Sequence, residues 1–254
     1  LRAARPRGLG PVAIAVPERA NLFPGAAVFV CLLTLGPGAR CKVTRADDFG
    51  HWVECAWVGA NWWRWVVELT TGRSLTRPEG WVPLSERFRV SASMTTGDAY
   101  AIKPWVRDGA DEEGLKLVTT GLVEPGQCMW GQWRCRYLKD DYQHPWVPLV
   151  VEGYPPALRR RLERARRPKI IVAGLSARIE AFVDRQGVYT GAVATWSIFE
   201  PNDDLEALER LCALLLTPEA TTRFRMEVGG NALGGGNITM KKGFLREFPI
   251  PPAP

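Results

Sequence analysis

Apolar residues in this chain come in short runs. Residues 12–16 (VAIAV) and 26–35 (AAVFVCLLTL) are bounded by Pro and Gly, and such runs predict two buried strands. Strand-like alternation continues over 41–44 and 51–58. Residues 61–69 read as a short helix whose Trp62, Trp63 and Trp65 pack rather than stack on a ligand. Residues 70–83, rich in Gly, Pro, Thr and Ser, read as linker. From Arg87 to Tyr154, β-prone pieces at 100–102, 115–119 and 146–151 alternate with turns, and Asp111, Glu112 and Glu113 read as a solvated loop.

Helical periodicity first becomes clear after residue 155. Leu158, Leu162 and Ala165 recur at i, i+4 and i+7, with Pro155 and Pro156 at the start and Pro168 at the stop. The run 169–173 (KIIVA) predicts a strand. Ser176 reads as the N-cap of a helix reaching Asp184, with Ile179, Phe182 and Val183 inward. Residues 193–199 predict another strand. Asp203 with Glu206 reads as a capping box opening a helix over 205–216, and Pro218 starts a further helix ending near Gly229. A glycine-rich turn, a short strand at 238–240 and the tail Phe248-Pro249-Ile250-Pro251-Pro252 close the chain. The expected fold class is α/β of the mixed α+β kind.

Of the 254 residues, 46% are hydrophobic and 24% charged, which excludes wholesale disorder, collagen-like repeats and a disulfide-stapled miniprotein. The longest apolar stretch, 26–35, is about half of the ~20 residues a membrane helix needs, so no membrane partner is expected. The basic N-terminus runs into Pro and Gly rather than an apolar core, unlike a signal peptide. The first residue is Leu, which suggests a fragment or a processed chain. Cysteines at 31, 41, 55, 128, 135 and 212 follow no framework, and a cytoplasmic location with reduced thiols fits them. Cys128, Cys135 and His144 lack a fourth ligand for zinc, so ordinary thiols are the preferred reading and no metal site is expected.

Charge changes the picture more than composition does. Lys and Arg number 33 against 27 Asp and Glu, a net +6. The excess sits in two places: residues 1–45 hold seven basic and one acidic side chain, and 151–169 hold seven and two. Localised positive patches suit a polyanion, because each neutralised phosphate releases counterions. The sharper patch places Arg159, Arg160, Arg161, Arg164, Arg166 and Arg167 around the helix whose apolar stripe is Leu158, Leu162 and Ala165. Two readings stay open: a solvated helix whose arginines pair with Glu163 and nearby acids, or a phosphate-contacting helix. Arginine in place of lysine, six times in eleven residues, favours phosphate contact.

Catalytic motifs are missing. The chain has two histidines and no HExxH, GxSxG or P-loop. The run 229–236 (GGNALGGG) fails the GxGxxG spacing and precedes a strand-like segment, so it reads as a close-approach loop. The Asp140/Asp141 and Asp203/Asp204 pairs read as turn or capping groups, and no general acid–base pair stands out.

The order of segments in the last third carries a resemblance. Arg167-Pro168-Lys169-Ile170-Ile171-Val172 leads into Leu175-Ser176-Ala177-Arg178, then Gly187-Val188-Tyr189, a Leu-rich helix, a Gly-rich turn and Leu245-Arg246-Glu247-Phe248-Pro249-Ile250-Pro251. This resembles the TaqI-like C-terminal specificity, or target-recognition, domain of adenine-specific DNA methyltransferases of restriction–modification and phage-defence systems. The segment Ser93-Met94-Thr95-Thr96-Gly97-Asp98-Ala99-Tyr100-Ala101-Ile102 resembles the opening of such domains, and Leu22-Phe23-Pro24-Gly25-Ala26-Ala27-Val28 resembles the last strands of the catalytic domain. The resemblance implies three parts: 1–69 as the remnant end of a Rossmann-like methyltransferase domain, 70–90 as linker, and 91–254 as the recognition domain.

Neither the Asn/Asp-Pro-Pro-aromatic catalytic loop nor the glycine-rich cofactor motif of that family is present. The resemblance therefore implies a chain that binds double-stranded DNA without methylating it, with no cofactor of its own. S-adenosylmethionine would belong to a methyltransferase catalytic domain or subunit acting as its partner. Besides the six arginines, the expected DNA contacts are Thr95, Thr96 and Gly97 from the opening segment and the basic Lys169, Arg178, Lys241 and Lys242. Gln132, Arg134, Arg136, Asn231 and Asn237 are candidates for base contacts by residue type and loop position. The alternatives are a nucleic-acid-binding accessory protein of another family, or an enzyme whose site leaves no recognisable motif.

Overall fold

Strand alternation and a handful of turns build most of the architecture. The computed structural model describes residues 10–16, 32–36, 40–45, 53–56, 75–109, 114–228 and 237–252. The chain divides into two units, one of residues 1–76 with 229–236 and the other of 77–228 with 237–254.

In the first unit the strands Leu32–Gly36, Gly10–Val16, Arg40–Arg45 and Val53–Ala56 form one sheet in that order. Gly10–Val16 and Arg40–Arg45 run parallel, and the other pairs are antiparallel. The apolar run 26–35 contributes only its last residues to a described strand, and that strand lies at the sheet edge. The expected helix at 61–69, with its tryptophans, lies outside the described residues, as do the acidic loop 111–113 and the glycine-rich run 229–236.

The second unit is mixed α/β. One antiparallel sheet is ordered Ala181–Asp184, Lys169–Ala173, Thr195–Phe199 and Arg89–Ala92. Its central strand Lys169–Ala173 is buried along its whole length, which accounts for its unbroken apolar run. A second sheet is ordered Tyr189–Gly191, Gly114–Val118, Pro145–Pro148 and Arg107–Asp108, with its first pair parallel. Short hairpins at Cys135–Tyr137/Asp140–Tyr142 and at 123–124/127–128 flank these sheets. Among the described residues, five α-helices accompany them: Thr96–Ile102, Pro156–Ala165, Leu205–Leu215, Pro218–Val228 and Lys242–Glu247. No helix among the described residues is long and apolar enough to cross a membrane.

Four expectations about elements are corrected. Residues 100–102 are helical, not β, because Thr95 and Asp98 form a reciprocal capping box that nucleates Thr96–Ile102. Residues 176–184 are not a helix: Ser176 turns its hydroxyl onto the Arg178 carbonyl, and Ala181–Asp184 pairs antiparallel with Lys169–Ala173. The helix at 205 is capped by Asp204, whose carboxylate accepts the Ala207 amide at 3.0 Å. Asp203 sits in the left-handed region at φ 61° and its carboxylate is taken by Arg167, so it cannot also cap. Finally, the stretch 70–90 is not all linker. Val82–Pro83 pairs with Pro249–Ile250, Leu84 is fully buried, and Arg89–Ala92 is a sheet strand.

Burial in this unit has a consequence at high pH. It pushes the Cys128 and Cys212 thiols up to about 11 from an ordinary 9.0. It likewise pushes the Tyr154 phenol up to about 12, and raises Tyr137 from 10.0. Each group keeps its proton longer folded than unfolded, so its contribution is complete below the unfolded value and is lost as pH rises towards the folded one. The thermal midpoint is therefore expected to fall steadily between pH 9 and about 11. Differential scanning calorimetry across that range checks this. C128A/C212A should fall less steeply in the first part of the range, where the thiols titrate.

Candidate nucleic-acid interface

The arginine helix Pro156–Ala165 forms where its sequence pattern places it. Leu158, Leu162 and Ala165 are buried in a cluster with Met94, Ile102, Leu115, Leu117 and Val147. Each fully buried leucine contributes roughly 1.5–3 kcal/mol of transfer free energy, so this face anchors the helix firmly.

Its six arginines divide by partner. Arg159 donates from Nε to the Tyr154 carbonyl at 3.1 Å and from Nη2 to the Glu152 carbonyl at 2.5 Å, tying the entry loop. Arg161 pairs with the buried Asp98 at 3.0 Å and reaches the Ala92 carbonyl at 3.2 Å. Arg167 pairs with Asp203 at 2.7 Å and donates to the Glu200 and Pro201 carbonyls. These three brace the helix, so among the six arginines expected as DNA contacts they are already engaged by the protein itself. Arg160, Arg164 and Arg166 make no ion pair or side-chain hydrogen bond among the described residues; Arg160 and Arg166 are exposed and Arg164 is half-buried.

Arg160 and Arg164, four residues apart, lie on one outward face of the helix. Arg164 is held below the ordinary arginine range, first by burial and then by the charges of Arg89, Arg161, Arg167 and Arg160. A guanidinium remains charged through such a shift, so the cluster stores repulsion that an anion would relieve. Arg89 is the member that sequence reasoning missed. It lies on the strand Arg89–Ala92, whose burial alternates from an exposed Arg89 to a buried Val90. The alternation of Arg87, Phe88 and Arg89 was visible in the sequence, but nothing there linked it to a helix some seventy residues away.

Lys169 is corrected outright as a DNA contact. It is fully buried, and its ammonium pairs with Asp184 at 2.5 Å while also donating to the Ala165 carbonyl at the helix end. Burial pulls its pKa down while Asp184 counteracts. Asp184 also accepts the Val188 and Tyr189 amides at 3.1 and 3.0 Å. Beside this pair, Gly187 has φ 66° and its backbone lies so close that a Cβ would stand 1.8 Å from the Arg166 carbonyl. Only glycine allows that approach.

The other expected contacts scatter over the unit. Thr95 is exposed, but its hydroxyl donates to Asp98, while Thr96 and Gly97 are exposed in the first turn that follows. Gln132, Arg134 and Arg136 are exposed around the strand Cys135–Tyr137. Arg178 is exposed and lies 3.5 Å from both Glu124 and Glu180. Asn237, Lys241 and Lys242 are exposed, whereas Asn231 lies outside the described residues. The structure thus brings Arg89 together with Arg160, Arg161, Arg164 and Arg167 as a single cluster.

Among the described residues, no group of three His, Cys, Asp or Glu side chains could hold a metal ion. The half-buried Cys128 and buried Cys212 thiols, pushed upward, are poor nucleophiles near neutral pH. What the surface offers chemically is a rigid array of unpaired cations. No family model matches this chain, and no curated protein matches it either.

Proposed function

We propose that this chain is the DNA-recognising portion of an adenine-specific DNA methyltransferase system of restriction–modification or phage-defence type. On this reading the second unit is a TaqI-like recognition domain and the first supplies the last strands of a Rossmann-like catalytic domain. The observation that carries the proposal is the unpaired cluster of Arg160 and Arg164 on the helix with Arg89 of the strand Arg89–Ala92, while Arg159, Arg161 and Arg167 brace that helix. Such an array gains free energy from phosphates, which replace mutual repulsion with charge-assisted bonds and release counterions. S-adenosylmethionine and the methyl transfer itself belong, in this proposal, to the partner catalytic domain or subunit. This chain's part is to hold the duplex while a base is taken out of the stack, a step costing a few kcal/mol that contacts across the DNA offset.

The test is fluorescence-anisotropy titration of the full chain on labelled duplexes of varied sequence over a salt series. The expected result is binding whose log K falls linearly with log salt, with a slope of at least about −2.7 for three phosphate contacts. A preference among sequences should be added to that slope. Binding that ignores salt would overturn the reading. Salt-dependent binding without any sequence preference favours the accessory nucleic-acid-binding alternative.

A further inference from the structure

The helix Leu205–Leu215 turns one row of side chains, Ala207, Arg210, Leu211 and Leu214, towards a cleft of about 370 Å³. Arg87 and Phe88 form a second wall, and Ile250, Pro251 and Pro252 of the tail form the third. These walls are fixed. Val82–Pro83 pairs with Pro249–Ile250, the Leu84 amide donates to the Phe248 carbonyl at 2.8 Å, and Arg87 donates from Nη1 to the Pro251 carbonyl at 3.3 Å. Phe88, Leu211 and Ile250 are buried and Leu214 is half-buried, so apart from two guanidinium groups the side chains around the cleft are apolar. The volume lies in the range of small-ligand sites, which combine an apolar lining with a few polar groups that orient the ligand.

The charge at this cleft selects the kind of ligand. No Asp or Glu lines it. Arg87 makes no ion pair among the described residues; its guanidinium lies 5.8 Å from the centre of the Phe88 ring and keeps donors beyond the one given to Pro251. Arg210 pairs with Glu206 at 3.0 Å, one turn back on the same helix, with both side chains exposed. Such an i, i+4 pair holds weakly, but it balances Arg210. One uncompensated cation then remains, which suits a monoanion. A planar guanidinium fork matches a carboxylate in particular, and the aliphatic walls match a hydrocarbon chain behind it.

We infer that this cleft binds a small aliphatic carboxylate, with its chain against Phe88, Leu211, Leu214 and Ile250 and its head on Arg87. Burying the chain supplies the hydrophobic gain, and the charge-assisted bond to Arg87 sets the preference for an anion. The site goes beyond the DNA-binding reading and does not depend on it, since none of its residues belongs to the cluster around Arg164.

The experiment titrates decanoate, decan-1-ol and decylammonium into the full chain by isothermal calorimetry, each below its micellar range. Decanoate is expected to bind saturably, decan-1-ol about 10- to 100-fold more weakly, and decylammonium not at all. R87Q keeps an amide donor for the Pro251 carbonyl but drops the charge. It should lose decanoate affinity by about the same 10- to 100-fold and leave decan-1-ol unchanged. L214E sets a carboxylate at the cleft and should abolish decanoate binding; circular dichroism checks its fold, and R87Q decides if it misfolds. R89A/R160A/R164A should bind decanoate as the wild type does. Equal affinity for decanoate and decan-1-ol overturns the inference, as does unchanged decanoate affinity in R87Q or no decanoate binding by the wild type. Loss of decanoate binding in R89A/R160A/R164A also overturns it, because the anion would then sit at the arginine cluster.

Discussion

Replacing Arg89, Arg160 and Arg164 together by alanine is expected to weaken binding to any duplex about 100-fold near 0.15 M salt, while sequence preference largely survives. The magnitude follows from counterion release: at ~0.9 of slope per neutralised phosphate, three lost contacts flatten the salt slope by about 2.7. Phosphate contacts position a protein without reading bases, so specific and scrambled duplexes should suffer alike. The same variant should be at least as stable as the wild type. Arg164 is disfavoured by the surrounding arginine charges, and removing three like charges relieves that repulsion. Anisotropy over a salt series and a thermal melt together check the two halves. A salt slope equal to the wild type's would reduce the cluster to an ordinary solvated surface.

Lys169→Met is expected to produce the opposite pattern, a loss of stability of about 3–5 kcal/mol with no specific effect on the salt slope of binding. The substitution leaves Asp184, with a side chain only 1% exposed, as a buried carboxylate without its cation. The Val188 and Tyr189 amides still reach Asp184, but two neutral donors do not replace an ammonium at 2.5 Å. It also removes the donor to the Ala165 carbonyl at the end of the arginine helix. Lys169→Met combined with Asp184→Leu should recover part of the loss, since the uncompensated charge is gone. Recovery stays incomplete because the two amides lose their acceptor, at a cost of about 1–3 kcal/mol for each one left unpaired. Urea titrations followed by far-ultraviolet circular dichroism give the comparison. A single variant as stable as the wild type would mean that the pair does not hold this turn.

These two experiments separate side chains that looked alike in the sequence. Arg167 closes the arginine run and Lys169 follows it with the same charge, yet Lys169 is fully buried against Asp184 and Arg167 is spent on Asp203 and two carbonyls. The partners of Lys169 and Arg167 lie 15 and 36 residues away along the chain. No local pattern encodes such a pairing. Arg161 is the same case, because its partner Asp98 reached that position only through a capping box on another helix.

Local physics explains what was legible. The i, i+4, i+7 stripe of Leu158, Leu162 and Ala165, framed by prolines, specified a helix and its buried face, and both are as the pattern requires. The apolar run 170–173 within the strand Lys169–Ala173 specified a buried strand for the same reason, since a strand covered on both faces shows no alternation of apolar and polar positions. The Leu205–Leu215 helix was legible too, from its first residue, although its cap is Asp204 rather than Asp203. Where two local signals competed, the sequence could not arbitrate. Residues 181–184 carry apolar positions compatible with either period, and the neighbouring strand's unpaired backbone groups decided for β. The six-residue helix Lys242–Glu247 has no side-chain cap, and it holds through burial of Phe244 and Leu245.

By itself, then, the sequence determined the α/β character, the principal helices and strands, and the place where positive charge concentrates, because periodicity and composition act over a few residues. The tertiary structure alone decided which of those charges are free. A guanidinium becomes a brace or a ligand site according to which carboxylates and carbonyls the fold delivers to it, and that depends on contacts between distant segments. Arg89 joined the cluster, and Lys169 left it, on that account.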